Sequence, residues 1–378
     1  MSASQAGPAP GANPQPRVWL LNGPRAGDNN QVLGLGEVLG WPFELKAIGF
    51  RASPPVPKMV SSQLRSLTLA GVDRRRSSAL RGPWPDLVIS AGRELEPVAR
   101  WIKMKSGERA RLVHMGRPWS RLDAFDLVIS TPQYFLPARD NVLVNELPLH
   151  RVTERRLEEA RALWAPRFAH LPRPYTAVLL GGNSGSFVLS RAKACRLGKL
   201  VSALARSTGG SLLVTNSART PADAYHDFLD GLGGPLHAHR WGAQQENPYF
   251  GYLALADRIV ITGESVSMLA EANVTGKPLL IYDIADRPTP DMPPWRRVAL
   301  GLSYRSLRDV FARTLGSPHM QRDIGAIQRH LVDIGRAAWL DEASSGGGAS
   351  AQPWHAPRLD AQRAVSRVQR LLGGALPC

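Results

Sequence analysis

The chain has 378 residues, with 47 Lys and Arg against 31 Asp and Glu, a formal charge of +16. A hydrophobic fraction of 43% excludes a mainly disordered polymer, and the length admits two ordinary domains. No apolar run reaches the roughly 18 residues that span a bilayer, and two Cys, Cys195 and Cys378, build neither a disulfide framework nor a thiolate zinc site.

Residues 1–16 are Ala, Gly, Pro, Gln and Ser with little else, and read as a disordered tail. They carry neither the basic nor the apolar region of a signal peptide, so a reduced, cytoplasmic protein is expected. Arg17–Asn22 predicts a strand that ends in a Gly/Asn-rich loop, followed by a helix from about Asn30 to Leu39. Further strands are predicted at Phe43–Ile48, Asp86–Ser90, Ala110–His114, Asp126–Ser130 and Val142–Val144, with a helix at Glu94–Lys103. A charged helix, Glu154–Trp164, and a Pro-studded connection, Pro166–Pro174, follow. The pattern then restarts, with strands at Tyr175–Leu180, Ser211–Thr215, Pro235–His239, Arg258–Thr262 and Pro278–Tyr282.

Short apolar strands alternating with helices indicate parallel sheets covered on both faces. The expected architecture is α/β: two doubly wound, Rossmann-like domains, 17–165 and 174–340, facing across a cleft. Residues 342–357 read as a flexible linker, and 358–373 as a terminal helix that docks back on the body. Ligands of such sheets lie at the carboxyl ends of the strands.

Two loops at such ends are candidates for chemistry. Gly181-Gly182-Asn183-Ser184-Gly185-Ser186 follows a predicted strand and precedes a helix running to about Ala205. A tight turn is the ordinary use of such a string; at a helix start, its N–H groups also suit a phosphate. No Lys-Ser/Thr pair follows, so it is not a Walker loop. Gly263-Glu264-Ser265, with Ser267 and Glu271 behind it, opens a second helix. Ser265 there is an N-cap or an anion ligand, and Glu271 a plain helix residue or an acceptor for ribose hydroxyls.

In the first domain, Asp28 is the acid of the loop Gly27–Gln31. It is a candidate base, or an N-cap for the helix after it. His114, at the end of a predicted strand, is a second candidate base. No cluster of His, Asp or Glu with ligand spacing suggests a metal. The arginine surplus (seven of the 47 basic residues are lysine) has no aromatic interleaving, so nucleic acid is not an expected partner. Part of it is explained by a GC-rich coding sequence. The cluster Arg65, Arg74, Arg75, Arg76 and Arg81 suits an anionic membrane surface.

Two resemblances follow from these motifs. The strand–GGNSGS–helix unit with TGESVSMLAEA and Gly276-Lys277-Pro278 resembles the donor domain of GT-B glycosyltransferases. That likeness implies a nucleotide-diphospho-sugar substrate, a UDP-sugar first of all, and no separate cofactor. It implies that the Gly-rich loop holds the diphosphate and Glu271 the ribose, with Tyr249 near the base. Only through that likeness does Arg240, after the predicted strand Pro235–His239, become a candidate donor to a leaving diphosphate. The string GPRAGDNNQ at 23–31, NVLVNELPLHRVT at 141–153, Asn247-Pro248-Tyr249 and TGESVSMLAEANVTGKP together resemble the mitochondrial-fission ELM1-like family. Its plant members imply an adaptor role; its bacterial members are similar to GT-B enzymes and mostly have no assigned reaction. A transferase acting on an envelope lipid or polysaccharide, peripheral to the membrane, is the expectation for this chain. Nucleotide-sugar 2-epimerases share the architecture and are a third reading. The chain departs from the family at Gln133-Tyr134-Phe135, where a His-Asp pair is usual, so no catalytic role is borrowed for that loop.

Overall fold

The computed structural model describes residues 15–51, 69–184, 187–285, 322–343 and 356–373. Most of the expected tail and linker, together with Arg65, Gly185 and Ser186, lies outside the described residues. The chain divides into two compact units. One comprises the residues up to Ser130, Leu136–Val144 and the segment from Asp360; the other comprises Thr131–Phe135 and Asn145–Leu359.

The first unit runs β1 (Val18–Asn22), α1 (Ala26–Leu39), β2 (Phe43–Ala47), β3 (Leu87–Ala91), α2 (Glu96–Lys105), β4 (Arg111–Met115), β5 (Leu127–Ser130) and β6 (Val142–Val144). The six strands pair in parallel in the order β2-β1-β3-β4-β5-β6. The inner strands β3 and β5 are buried throughout and apolar but for one serine each, Ser90 and Ser130, as a sheet covered on both faces requires. Edge strand β2 is mostly exposed. The terminal helix, Ala356–Leu371, buries Ala364 and Val368, and Arg363 donates to the Val144 carbonyl.

The second unit opens with α3 (Glu154–Phe168) and runs β7 (Tyr175–Leu180), α4 (Arg191–Ser207), β8 (Ser211–Asn216), α5 (Ala222–Asp230), β9 (Leu236–His239), α6 (Tyr249–Leu255), β10 (Arg258–Thr262), α7 (Val266–Asn273), β11 (Leu279–Tyr282), α8 (Ile324–Asp333) and β12 (Ala338–Trp339). Its parallel order is β12-β11-β10-β7-β8-β9. Alternate residues of its strands point to two separate cores. Ala177, Leu179, Ile259 and Ile261 pack with Leu269 of α7 and Ile327 of α8. Val178, Leu180, Val214 and Val260 pack with Leu197 of α4 and Phe228 of α5. Among the described residues, no helix is long and apolar enough to cross a membrane.

Three expectations need correction. The division falls near residue 145, not between 165 and 174, because α3 buries Ala160, Trp164 and Phe168 in the core of the second unit. Pro166 does not end α3. The helix runs on to Phe168, which stacks on Trp164 with ring centroids 5.4 Å apart. Burying such a ring stabilises by about 3–5 kcal/mol, enough to offset the roughly 3 kcal/mol that an interior proline costs. Finally, α1 begins at Ala26, so Gly27–Gln31 is its first turn and not a loop.

The packing of α3 on α6 is close at one point. A Cβ on Gly251 would run into the Trp164 ring. Gly251→Ala is therefore expected to destabilise the second unit by about 1–3 kcal/mol through overpacking, read as a lower urea midpoint with an unchanged slope.

Candidate functional site

Each sheet reverses its direction of winding once, between β1 and β3 in the first unit and between β7 and β10 in the second. At a reversal the crossover helices leave to opposite faces and the carboxyl ends of two neighbouring strands stay open. Most of the sequence-predicted residues collect at these two places; His114 and Arg240 do not.

In the second unit, the loop after β7 and the loop after β10 press together. A Cβ on Gly181 would overlap the Glu264 carboxylate and Ser265. Gly182 adopts φ 153°, and a Cβ there would strike the Arg219 carbonyl. This pair of glycines thus makes room for protein atoms. The N–H groups of the loop are engaged as well. Gly181 donates to Thr262 Oγ1 at 2.7 Å, Gly182 to Glu264 Oε1 at 2.5 Å, Asn183 to the Arg219 carbonyl at 3.2 Å and Ser184 to the Phe187 carbonyl at 2.9 Å. The loop does not lead straight into a helix either. Ser184 bridges to Phe187, Asn183 Oδ1 accepts from Leu189, and α4 starts only at Arg191, capped by Ser190.

Arg219 was not among the sequence candidates. It follows β8 by three residues, in the string Ser217-Ala218-Arg219-Thr220. Ser217 and Thr220 both donate to the Gly181 carbonyl, which pins this loop to the glycines. The Arg219 guanidinium donates to Ser265 Oγ at 3.2 Å and to the Asn183 carbonyl at 3.4 Å, and lies 3.6 Å from Glu264. Its only advance signal was an Arg just beyond the carboxyl end of a buried strand. Arg240, the cation expected here, is exposed after β9.

Ser265 is the N-cap residue of α7, yet its side chain makes no cap bond and accepts from Arg219 instead. The first-turn N–H groups of α7 have no acceptor within the helix and lie beside that guanidinium. Glu264 is buried at 1% exposure. Burial pushes its carboxyl up to about 7, against the pull of Arg219 and the Gly182 N–H. Gly263 lies against the buried carboxamide of Gln328 on α8. Ser267 is half-buried in the first turn of α7.

One turn on, Glu271 is buried and its Oε2 accepts from the hydroxyl of Tyr249, the first residue of α6. Burial and this carboxylate hold the phenol pKa well above its usual range. Residues 22 apart in sequence thus share one hydrogen bond.

In the first unit, Asp28 sits in the opening turn of α1 with its carboxylate over Gly92, just beyond β3. It is not the N-cap, which is Arg25. Asn29 staples the end of β1 by bonding both polar atoms of the Gly23 backbone at 2.8 Å. His114 does not end its strand. It lies inside β4, fully buried, on the Phe125 ring and 3.0 Å from Ser90 Oγ. Burial lowers its pKa to about 4. It is a core residue, sealed from solvent, and so not the solvent-facing base expected at a strand end.

Among the described residues, His226, Asp227 and Asp230 on α5 could converge on a cation. The helical spacing of His226 and Asp230 escaped the sequence analysis. Arg191 holds both oxygens of Asp227, at 2.7 and 3.0 Å, and so competes with any ion there.

Fold and site define an α/β protein of two parallel-sheet units, with polar residues gathered at the winding reversal of the second. The chain belongs to the family described as Mitochondrial fission ELM1, whose sequence model matches residues 26–292. The Mitochondrial fission protein ELM1 of Arabidopsis thaliana is 30% identical over 228 residues, 52% of this chain and 51% of its own. The matched region thus spans about half the length of that relative. Among solved structures, the UDP-GlcNAc 2-epimerase of Methanocaldococcus jannaschii is similar at 8% identity and TM-score 0.47, covering 94% of this chain and 93% of its own. The ADP-heptose LPS heptosyltransferase II of E. coli is similar at 13% identity and TM-score 0.42, covering 94% and 98%. Neither likeness carries a residue role over.

The state of His114 has a measurable consequence. The unfolded chain protonates this ring near pH 6.5, the folded one only near 4. Stability therefore falls as the pH drops through that window, by up to about 1.4 kcal/mol per unit. His114→Asn removes this share. Urea unfolding at pH 7 and pH 5 is expected to show the wild type losing about 2 kcal/mol more than the variant; equal losses would mean that the ring takes its proton in the folded state.

Proposed function

We propose that the chain is a GT-B-type glycosyltransferase whose second unit binds a nucleotide-diphospho-sugar, a UDP-sugar first of all. The observation that carries this reading is the meeting of Tyr249, at the start of α6, with Glu271 of α7, the helix that follows β10. Glu271 is the acceptor for ribose hydroxyls, and Tyr249 orients it beside the base. The loops Gly181–Ser186 and Gly263–Ser267 flank the diphosphate. Arg219, and not Arg240, is the cation that meets it as it leaves. Asp28, at the reversal of the first unit, is the base that takes the acceptor proton. The acceptor is an envelope lipid or polysaccharide at the cytoplasmic face of a membrane. Exposed Arg74, Arg75, Arg76 and Arg81 are the residues offered to anionic headgroups.

A second reading, a non-catalytic adaptor with the same fold, is favoured by one observation. The four described N–H groups of the glycine loop are all satisfied inside the protein.

Melting scans with a panel of nucleoside diphosphates and UDP-sugars separate the two. A ligand at about 100 times its dissociation constant adds roughly 2.7 kcal/mol. One nucleotide is expected to stabilise the protein to that extent, Glu271→Ala to abolish the effect, and Tyr249→Phe to weaken it. No stabilisation by any member of the panel would overturn the enzyme in favour of the adaptor.

A further inference from the structure

We propose that the Glu264 carboxylate is a displaceable internal anion, seated where a phosphate group of the ligand binds, and that ligand entry delivers one proton from solvent to it. This rests on the donor-site reading above.

The geometry around Glu264 is that of an occupied anion site. Its Oε1 takes the Gly182 N–H at 2.5 Å and faces the Arg219 guanidinium at 3.6 Å. Ser265, bonded to the same guanidinium, opens α7. A backbone N–H, a guanidinium and an uncapped helix start are the donors that a phosphate asks for. Here the N–H and the guanidinium already serve a carboxylate, and Gly181 lacks a Cβ where that carboxylate lies.

The occupant fits poorly. Oε2 has no hydrogen-bond partner among the described residues, although the side chain is wholly buried. A buried charge with one bare oxygen carries an uncompensated desolvation cost. A phosphate, with more oxygens and part of its surface in water, would fill the same donors better.

The groups that bear on Glu264 are few. Arg219, after β8, is the charged one. Thr262 of β10 and Gly182 of the β7 loop offer hydrogen bonds. On α8, the neighbouring Gln328 is neutral. One guanidinium does not hold two adjacent anions ionised at neutral pH, so one of them takes a proton. The carboxyl, already raised to about 7, is the one that yields. No covalent bond changes: one proton moves from solvent to Glu264, whose O–H then donates to a phosphate oxygen.

The test uses UDP and inorganic pyrophosphate as probes, on the full chain and on Glu264→Gln. Wild-type affinity is expected to weaken as the pH rises from 6 to 8.5, towards tenfold per unit above about 7. Glu264→Gln should bind at least tenfold more tightly than wild type at pH 8.5, and vary only as the probe itself titrates. Calorimetry in two buffers of different ionisation enthalpy is expected to show about one more proton taken up by wild type at pH 8. Identical pH profiles and proton counts in the two proteins would overturn this inference and leave the donor site standing. No binding of either probe by either protein would overturn both. Should the variant melt early, wild-type calorimetry alone decides: uptake at pH 8 that vanishes at pH 5.5 supports the proposal, and its absence at pH 8 ends it.

Discussion

In each sheet, one pair of neighbouring strands cannot be bridged by the chain that leaves them. Right-handed crossovers that run outward in opposite directions put their helices on opposite faces. In the second unit α4 packs on the face built from Val178 and Leu180, and α7 on the face built from Ala177 and Leu179. The carboxyl ends of β7 and β10, adjacent and parallel, are left without a helix over them. The loops there must satisfy their own backbone groups, and the placing of Glu264, Arg219 and Ser265 follows from how they do so.

They do it with side chains from one another. Thr262 and Glu264 of one loop receive the N–H groups of Gly181 and Gly182 in the other. Ser217 and Thr220 of a third loop donate to the Gly181 carbonyl. Buried donors and acceptors demand partners, and this mutual arrangement supplies them at the cost of burying one carboxylate. That carboxylate can stay only because Gly181 clears its space, as Gly182 clears the space of the Arg219 carbonyl. The same arrangement brings a cation, Arg219, to the start of α7. A pinned backbone and a buried, only partly compensated carboxylate are thus products of one constraint.

Much of the fold was legible along the chain. Strands such as LVIS and RIVIT carry unbroken apolar runs with polar residues only at their ends, a pattern that belongs to sheets covered on both faces. Their βα alternation leads to parallel pairing. What misled was punctuation. Pro166 looked like a helix end, but the gain from burying Phe168 outweighs the lost hydrogen bond. Asp28 looked like a loop acid, but its helix starts earlier, without a side-chain cap to announce it. His114 looked like a strand end open to a ligand, whereas its strand continues to Met115 and its ring faces Phe125.

The residue types at the candidate site were readable, because glycine-rich strings after apolar strands mark the carboxyl edge of a sheet whatever its partners. Their division of labour was not. Whether a glycine admits a phosphate or a glutamate depends on what an element 80 residues away places against it, and Arg219 has no motif of its own. Periodicity and composition act over a few residues, and so they determine elements and layers. Hydrogen-bond satisfaction and burial act between segments remote in sequence, and only the assembled sheet decides which polar groups are spent on the protein and which remain for a ligand.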